Sequence, residues 1–334
     1  MFVKKLCGVL ALCFWATLLT PISSLADTVS DEIEKEISKH EEANLDDRAN
    51  LDTSIIRSSD LIYTHSDSRV AISKNPDEPI QMSTEDSSIS IWLPSRHYAE
   101  DAISVSDGTV AFDNKNSSYT VPVIHKDGSL QINTLIQNAS APKEYEYVLK
   151  MPPGVSTRLG LDGSIFFETR DHKILGGVPK PWARDSEGKW INTTYELTNS
   201  GFKQIVDFED ASTFPIVADP WFGFDTIDQA YWSYLWEWSP TLVVIPTWWG
   251  RNSDAQAADD VWAEVKSKTL AYRSRLGSPT MRVQFDCHWY FVRLRSPNKP
   301  SCNLDWKLPY TSLANSLKYG CNYYPGATPT SIFN

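Results

Sequence analysis

FDCHWY, residues 285–290, sets an aspartate, a cysteine and a histidine side by side among aromatic residues. Two chemistries compete for that spacing. Cys287 and His288 are the residue types of a thiol nucleophile and its base, and Asp286 with His288 those of an acid–base pair. The other reading makes Cys287 half of a disulfide in an aromatic core. The surrounding run MRVQFDCHWYFVRLR, 281–295, reads as one long strand, on which successive side chains point to opposite faces. Phe285, Cys287, Trp289 and Phe291 then share a core-like face, which parts Cys287 from His288. On the other face His288 could meet a carboxylate such as Asp305 of CNLDW. His288, Asp286 and Asp305 are therefore the candidate catalytic residues.

Other reactive patterns are missing. The six histidines, at 40, 65, 97, 125, 172 and 288, are scattered, and neither HExxH nor paired cysteine spacing occurs. No GxSxG elbow or phosphate-binding glycine loop is present either, so no metal and no cofactor are expected.

Aromatic and basic residues supply the remaining signals. Nine tryptophans fall between 221 and 306. Trp232, Tyr234, Trp236 and Trp238 alternate along AYWSYLWEW and share one strand face, either as core or as a stacking platform for sugar rings. Trp248 and Trp249 are adjacent, so a one-sided sheet buries only one of them and the other is a candidate ligand contact. Lys266, Lys268, Arg273, Arg275, Arg282, Arg293, Arg295 and Lys299 gather against a single acid, Asp286. Arg293 and Arg295 share a strand face. This cluster is either a solvated surface or a site for an anionic surface polymer; nucleic acid is not the expected partner.

The elements that must position these groups fall into distinct stretches. Residues 27–60 are acidic and free of aromatic residues apart from His40; Ile33 and Ile37 bury too little to hold a helix, so a disordered or loosely helical spacer is expected. From 61 to 221, Asp107-Gly108, Asp127-Gly128 and Asp162-Gly163 each sit between β-prone runs, and Asp-Gly supplies the positive φ angles of tight hairpins. EYEYVL, KWINTTYEL and FKQIVDF extend the alternation, which predicts an all-β sandwich. Residues 222–334 predict a small α+β domain. AYWSYLWEW and TLVVI form its hairpin, a helix runs through DAQAADDVWAEVKSKTL with Asp254 as N-cap, and a short helix covers TSLANSLKYG.

Charge and cysteines divide the chain in the same way. Residues 27–221 carry 18 basic and 33 acidic side chains, whereas 222–334 carry 11 and 9. Cys287, Cys302 and Cys321 all lie in the second part, so one disulfide and one spare thiol are expected in an oxidising compartment. The N-terminus reads as a signal peptide, residues 1–26: Lys4 and Lys5, the apolar LCGVLALCFWATLL, and Ser24-Leu25-Ala26 before Asp27. Leu12 is too bulky for a lipoprotein cut before Cys13. LPYTS at 308–312 lacks the glycine and apolar tail of a wall-sorting signal. No later run is long enough to span a membrane, so a secreted, extracellular protein is expected.

TLVVIPTWWGR, VWAEV, MRVQFDCHWYFV, CNLDW and YGCNYYPG, in that order, give residues 227–326 a specific resemblance to a secreted Gram-positive bacterial family, domain of unknown function 2599. PWARDSEGKW and FPIVADPW resemble the β-rich segment that often precedes it in exported proteins. The resemblance implies secretion and a Cys287–Cys321 disulfide, and no activity. Closing that loop stabilises the fold by roughly 3–4 kcal/mol in the chain-entropy treatment. Cys302 departs from the family pattern, and its partner stays open. The function expected is a non-enzymatic binding module for a cell-envelope polymer or host-surface glycan. The alternative is a secreted enzyme or toxin acting through His288, Asp286 and Asp305.

Overall fold

Residues 22–40, 48–65, 68–84, 87–106, 108–209, 211–224, 226–235, 240–252, 258–269, 272–296, 298–326 and 328–329 are described by a computed structural model. Most of the signal-peptide reading, Asp107, Trp236, Trp238 and the Asp254 cap lie outside them.

The upstream region is built from short antiparallel strands. In chain order they are Leu61–His65 (β1), Ser68–Ile72 (β2), Ile80–Ser83 (β3), Ser88–Trp92 (β4), Ile103–Ser106 (β5), Thr109–Asp113 (β6), Ser118–Ile124 (β7), Leu130–Ile136 (β8), Glu144–Lys150 (β9), Val155–Leu159 (β10), Ile165–Thr169 (β11), Ile174–Val178 (β12), Ala183–Asp185 (β13), Thr193–Thr198 (β14), Gly201–Val206 (β15), Ile216–Ala218 (β16) and Trp221–Phe222 (β17). One sheet runs β1-β2-β3-β4-β9-β15-β14, and a second β13-β16-β8-β7-β6-β5 with β17 on β8. Their inner faces share one core, in which Ile72, Ile91, Tyr145 and Tyr147 meet Phe112, Leu130, Ile132 and Ile136. This is a sandwich. The turns at Gly108, Gly128 and Gly163, all at positive φ, join β5–β6, β7–β8 and β10–β11 as the Asp-Gly spacing predicts.

The acidic spacer is a correction. A helix spans Ile22–His40 (α1), and Ile33 and Ile37 are buried at 2% and 1% exposure. They pack on the outer face of the second sheet against Ala111, Val121, Val123, Leu135 and Val217. The two isoleucines, with half-buried Val29 beside them, hold because the sheet offers an apolar second face; tertiary packing, not intrinsic propensity, holds the helix. Glu34 fastens it, accepting from Arg48 Nη1 at 2.8 Å and from the Ser38 and Ser106 hydroxyls, each at 2.7 Å. Burial alone would raise its carboxyl, but these bonds outweigh burial and hold it below its ordinary value.

The C-terminal region is α+β. Strands Ile227–Ser233 (β18), Thr241–Pro246 (β19) and Cys302–Asp305 (β20) form an antiparallel sheet in that order. Around it lie Trp248–Asn252 (α2), Ala258–Lys268 (α3), Pro279–Cys287 (α4), Arg293–Arg295 (α5) and Leu313–Lys318 (α6). Ala258, Val261, Trp262 and Val265 of α3 are buried, as their spacing predicts. Ser312 caps α6, accepting from Asn315 N at 3.2 Å.

The run 281–295 is helical, not a strand. α4 continues through a π-helical turn, His288–Val292, into α5. Met281, Phe285 and Trp289, four residues apart, all enter the core against β18–β20 and α3, and Pro279 opens the helix where its missing N–H costs nothing.

Trp249 joins the two regions. It is 0% exposed and lies against the three-stranded sheet β10-β11-β12, edge-on to Phe166 with 6.0 Å between ring centroids. Gly177 and Gly223 exchange backbone hydrogen bonds of 2.8 and 3.1 Å beneath it. A Cβ on Gly177 would come within 2.7 Å of the Trp249 ring, and one on Gly223 within 2.5 Å of Trp249 Cβ. The slot exists because neither residue has a side chain. Nearby, His65 of β1 pairs with Asp228 of β18 at 2.8 Å, and Ile174 N donates to Asp260 Oδ2 at 3.3 Å.

Trp249→Ala should lower unfolding stability by about 3–5 kcal/mol in urea titrations of the whole chain. Gly177→Ala should also destabilise. Gly277→Ala, whose Cβ would meet nothing within 4 Å, serves as the neutral control.

Candidate functional site

The helix redistributes the residues of FDCHWY. Asp286 and His288 are two positions apart, about 200° around a helix, and so face opposite ways. Asp286 accepts from Arg282 Nε at 2.7 Å, and Arg282 reaches Asp259 at 2.7 Å. His288 is buried, with Nδ1 2.9 Å from the Gln284 carbonyl and Nε2 3.4 Å from Lys299 Nζ. Nδ1 therefore carries the proton and Nε2 accepts. Burial first, and then the Lys299 charge, push its pKa down to about 4. The ring is neutral at physiological pH and a weak base.

Asp305 belongs to another network. Its Oδ1 accepts from the Thr241 hydroxyl, and its Oδ2 from Asn322 Nδ2 at 2.8 Å and the Tyr324 hydroxyl at 2.6 Å. The Gln284 side chain meets its backbone twice, accepting from Asp305 N at 2.8 Å and donating to Asp305 O at 3.1 Å. One residue thus ties β19, α4 and the segment after α6 together. The three candidate catalytic residues do not assemble into a dyad or triad.

Cys287 and Cys321 form a disulfide that pins α4 to the segment after α6, among Val292, Leu313 and Leu317. Cys302 is free, and burial pushes its thiol up to about 11 despite the charges of Lys299, Arg251 and Arg293. It is a poor nucleophile at neutral pH. Together with His288 and Arg293 it lines a cavity of about 20 Å³, counted as space open to the centre of a water molecule, which has room for a water or so.

The expected contact residues also sort themselves out. Trp249 is the buried joint described above, and Trp248 lies in α2 with its side chain outside the described residues. Arg293 is buried: Nε donates to Trp289 O at 2.7 Å, Nη1 to Arg251 O at 3.1 Å, and the guanidinium lies 4.0 Å over the Trp289 ring. It fastens α2 to the long helix instead of facing a ligand. Arg295 is exposed. Because the run is helical, the two arginines do not share a face.

What the fold brings together at the surface is different. Arg275, in the 3-10 turn Arg273–Gly277, sits among three rings, 4.0 Å from Tyr272, 4.8 Å from Trp306 and 5.2 Å from Trp232. Tyr272 is 55% exposed and Trp306 38%, while Trp232 is half-buried at the edge of the core. Tyr272 adopts the left-handed region, φ 54°, which is unusual for a bulky residue. The cluster draws on β18, the turn before α4 and the residue after β20. No local window contains it, so sequence patterning gave no signal for Tyr272 or Trp306, although Arg275 and Trp232 stood out separately.

The family profile described as protein of unknown function (DUF2599) matches residues 227–324. Uncharacterized protein Mb0487 of Mycobacterium bovis and uncharacterized proteins MT0495 and Rv0477 of Mycobacterium tuberculosis are each 37% identical over 110 residues, which is 32% of this chain and 70% of theirs. The chain belongs to the DUF2599 family. The relatives found are mycobacterial, and no solved structure matches the chain. The motifs that carry the DUF2599 resemblance supply Thr241, Cys287, Asp305, Cys321, Asn322 and Tyr324, the parts of the disulfide and the Asp305 network. Among the described residues no helix is long and apolar enough to cross a membrane.

Two measurements check this arrangement. Between pH 6.5 and 4 the unfolded chain takes up a proton that buried His288 refuses, so stability should fall as pH drops through that window. His288→Gln should remove roughly 3 kcal/mol of that loss in urea titrations at pH 7 and pH 4; His40, also depressed by burial, contributes equally to both proteins. Non-reducing peptide mapping after alkylation should recover Cys287 linked to Cys321 and the alkyl group on Cys302 once the chain is unfolded.

Proposed function

We propose that this protein is exported and that its DUF2599 domain is a non-enzymatic module that binds glycan on a cell envelope or host surface. The observation that carries the reading is the exposed aromatic surface of Tyr272 and Trp306 around Arg275. Aromatic faces stack on the apolar faces of sugar rings and leave the polar edges free for hydrogen bonds. The export-like N-terminus and the disulfide support service outside the cell, where such polymers are found.

The alternative, a secreted enzyme or toxin, rests on fewer observations. His288 is neutral and enclosed, Asp286 is bound by Arg282, and Asp305 is consumed by Thr241, Asn322 and Tyr324. A general base needs reach to a substrate proton, and each of the three is enclosed or held by a fixed partner.

Purified cell-wall polysaccharide should retain the mature chain in sedimentation assays at low salt. Trp306→Ala and Tyr272→Ala together should weaken retention at least tenfold, with the thermal transition unchanged. No retention of the wild-type chain by any envelope polysaccharide would remove the reading.

A further inference from the structure

We infer that the glycan bound at the Trp232–Tyr272–Trp306 surface is acidic, and that Arg275 is the residue that selects it. This rests on the proposed glycan-binding role of that surface and adds the chemistry of the ligand.

The reason lies in how Arg275 is held. Among the described residues it makes no ion pair and no side-chain hydrogen bond, and its Nη1 is buried without a partner. The nearby arginines are used differently. Arg282 is neutralised by Asp259 and Asp286, and Arg293 donates to main-chain carbonyls. Among the described residues, the contacts of the Arg275 guanidinium are the three rings. Cation–π attraction offsets part of its lost hydration, yet a half-desolvated guanidinium with no counter-charge keeps unused donors and an unbalanced charge.

The rings also limit its freedom. Tyr272 at 4.0 Å and Trp306 at 4.8 Å crowd the guanidinium, which reduces the side-chain entropy left to lose when a ligand arrives. The planar fork of a guanidinium matches the two oxygens of a carboxylate or the oxygens of a phosphate. Flanking rings suit the sugar that bears them. The ligand class that fits both features is a polymer whose sugar rings carry oxyanions.

The test uses the full-length mature chain and follows its tryptophan fluorescence during titration with four polymers. These are polygalacturonate, its fully methyl-esterified form, a phosphomannan, and the same mannan after dephosphorylation. At least one acidic polymer should bind tenfold or more tightly than its neutral counterpart, and the preference should fade between 50 and 500 mM salt. Which acidic polymer wins separates carboxylate from phosphate recognition. Arg275→Ala should abolish the preference and leave weak binding of the neutral forms. Arg275→Lys, which keeps the charge and loses the planar fork, should retain part of it, and covers the case in which the alanine variant misfolds. Equal binding of acidic and neutral polymers, or a preference that survives Arg275→Ala in a folded protein, would overturn the inference and leave the stacking surface standing. Binding of none of the four, or binding indifferent to Trp306→Ala, would overturn the underlying reading as well.

Discussion

The seating of Trp249 between Gly177 and Gly223 is the constraint on which the arrangement of the two regions depends. A fully buried indole holds a large apolar area, and this one spans a joint where two sheets could not otherwise approach. Its short helix, α2, is held in turn by Arg293, which donates to the carbonyls of Gly250 and Arg251 and stacks on Trp289. Trp289 belongs to the long helix, whose Gln284 grips the backbone of Asp305. An unbroken series of contacts therefore runs from the upstream sandwich through Trp249 and the aromatic helix to the last strand of the small sheet. The Cys287–Cys321 bond closes its far end.

This explains why the residues that look chemical are not free for chemistry. A buried polar group left without a partner costs about 1–3 kcal/mol, and more if it is charged. A small domain with a thin core can therefore use satisfied polar groups as fasteners. His288, Asp305, Gln284 and Arg293 have that use here, each bonded to main chain or to a fixed side chain. The motifs that carry the DUF2599 resemblance include three of these fasteners, Gln284, His288 and Asp305. Folding alone accounts for their contacts.

Much of the fold could be read from local patterns, because local patterns caused it. The Asp-Gly pairs set positive φ angles that only certain turns accept, and the hairpins at β5–β6, β7–β8 and β10–β11 follow. The helix at 258–268 was legible from its apolar spacing, and the short helix at 313–318 from its polar start. The run 281–295 was not. Its aromatic and β-branched residues favour a strand, while Pro279 and the four-residue spacing of Met281, Phe285 and Trp289 favour a helix, and packing on β18–β20 and α3 decided for the helix. Ile33 and Ile37 were undervalued for a related reason. Their partners, Val121, Val123 and Leu135, lie on a sheet face that alternation alone assigns to solvent. The surface around Arg275 was illegible in principle, since positions 232, 272, 275 and 306 meet only after the sheet and the long helix have closed.

The charge distribution then bears on whether an acidic polymer can approach such a protein. The whole chain carries a net charge of −11, which would repel a polyanion at long range. At physiological ionic strength, however, exposed charges more than about 8 Å apart are largely screened. The acidic excess resides upstream, in residues 27–221, whereas 222–334 carry 11 basic against 9 acidic side chains. A polymer touching Tyr272 and Trp306 therefore meets local charge, and among the described residues no carboxylate pairs with Arg275 there. The acidic sandwich would disfavour lengthwise adsorption along the molecule and confine contact to the C-terminal face. Net negative charge and recognition of an anion are thus compatible, because one acts over the whole surface and the other within the reach of a single guanidinium.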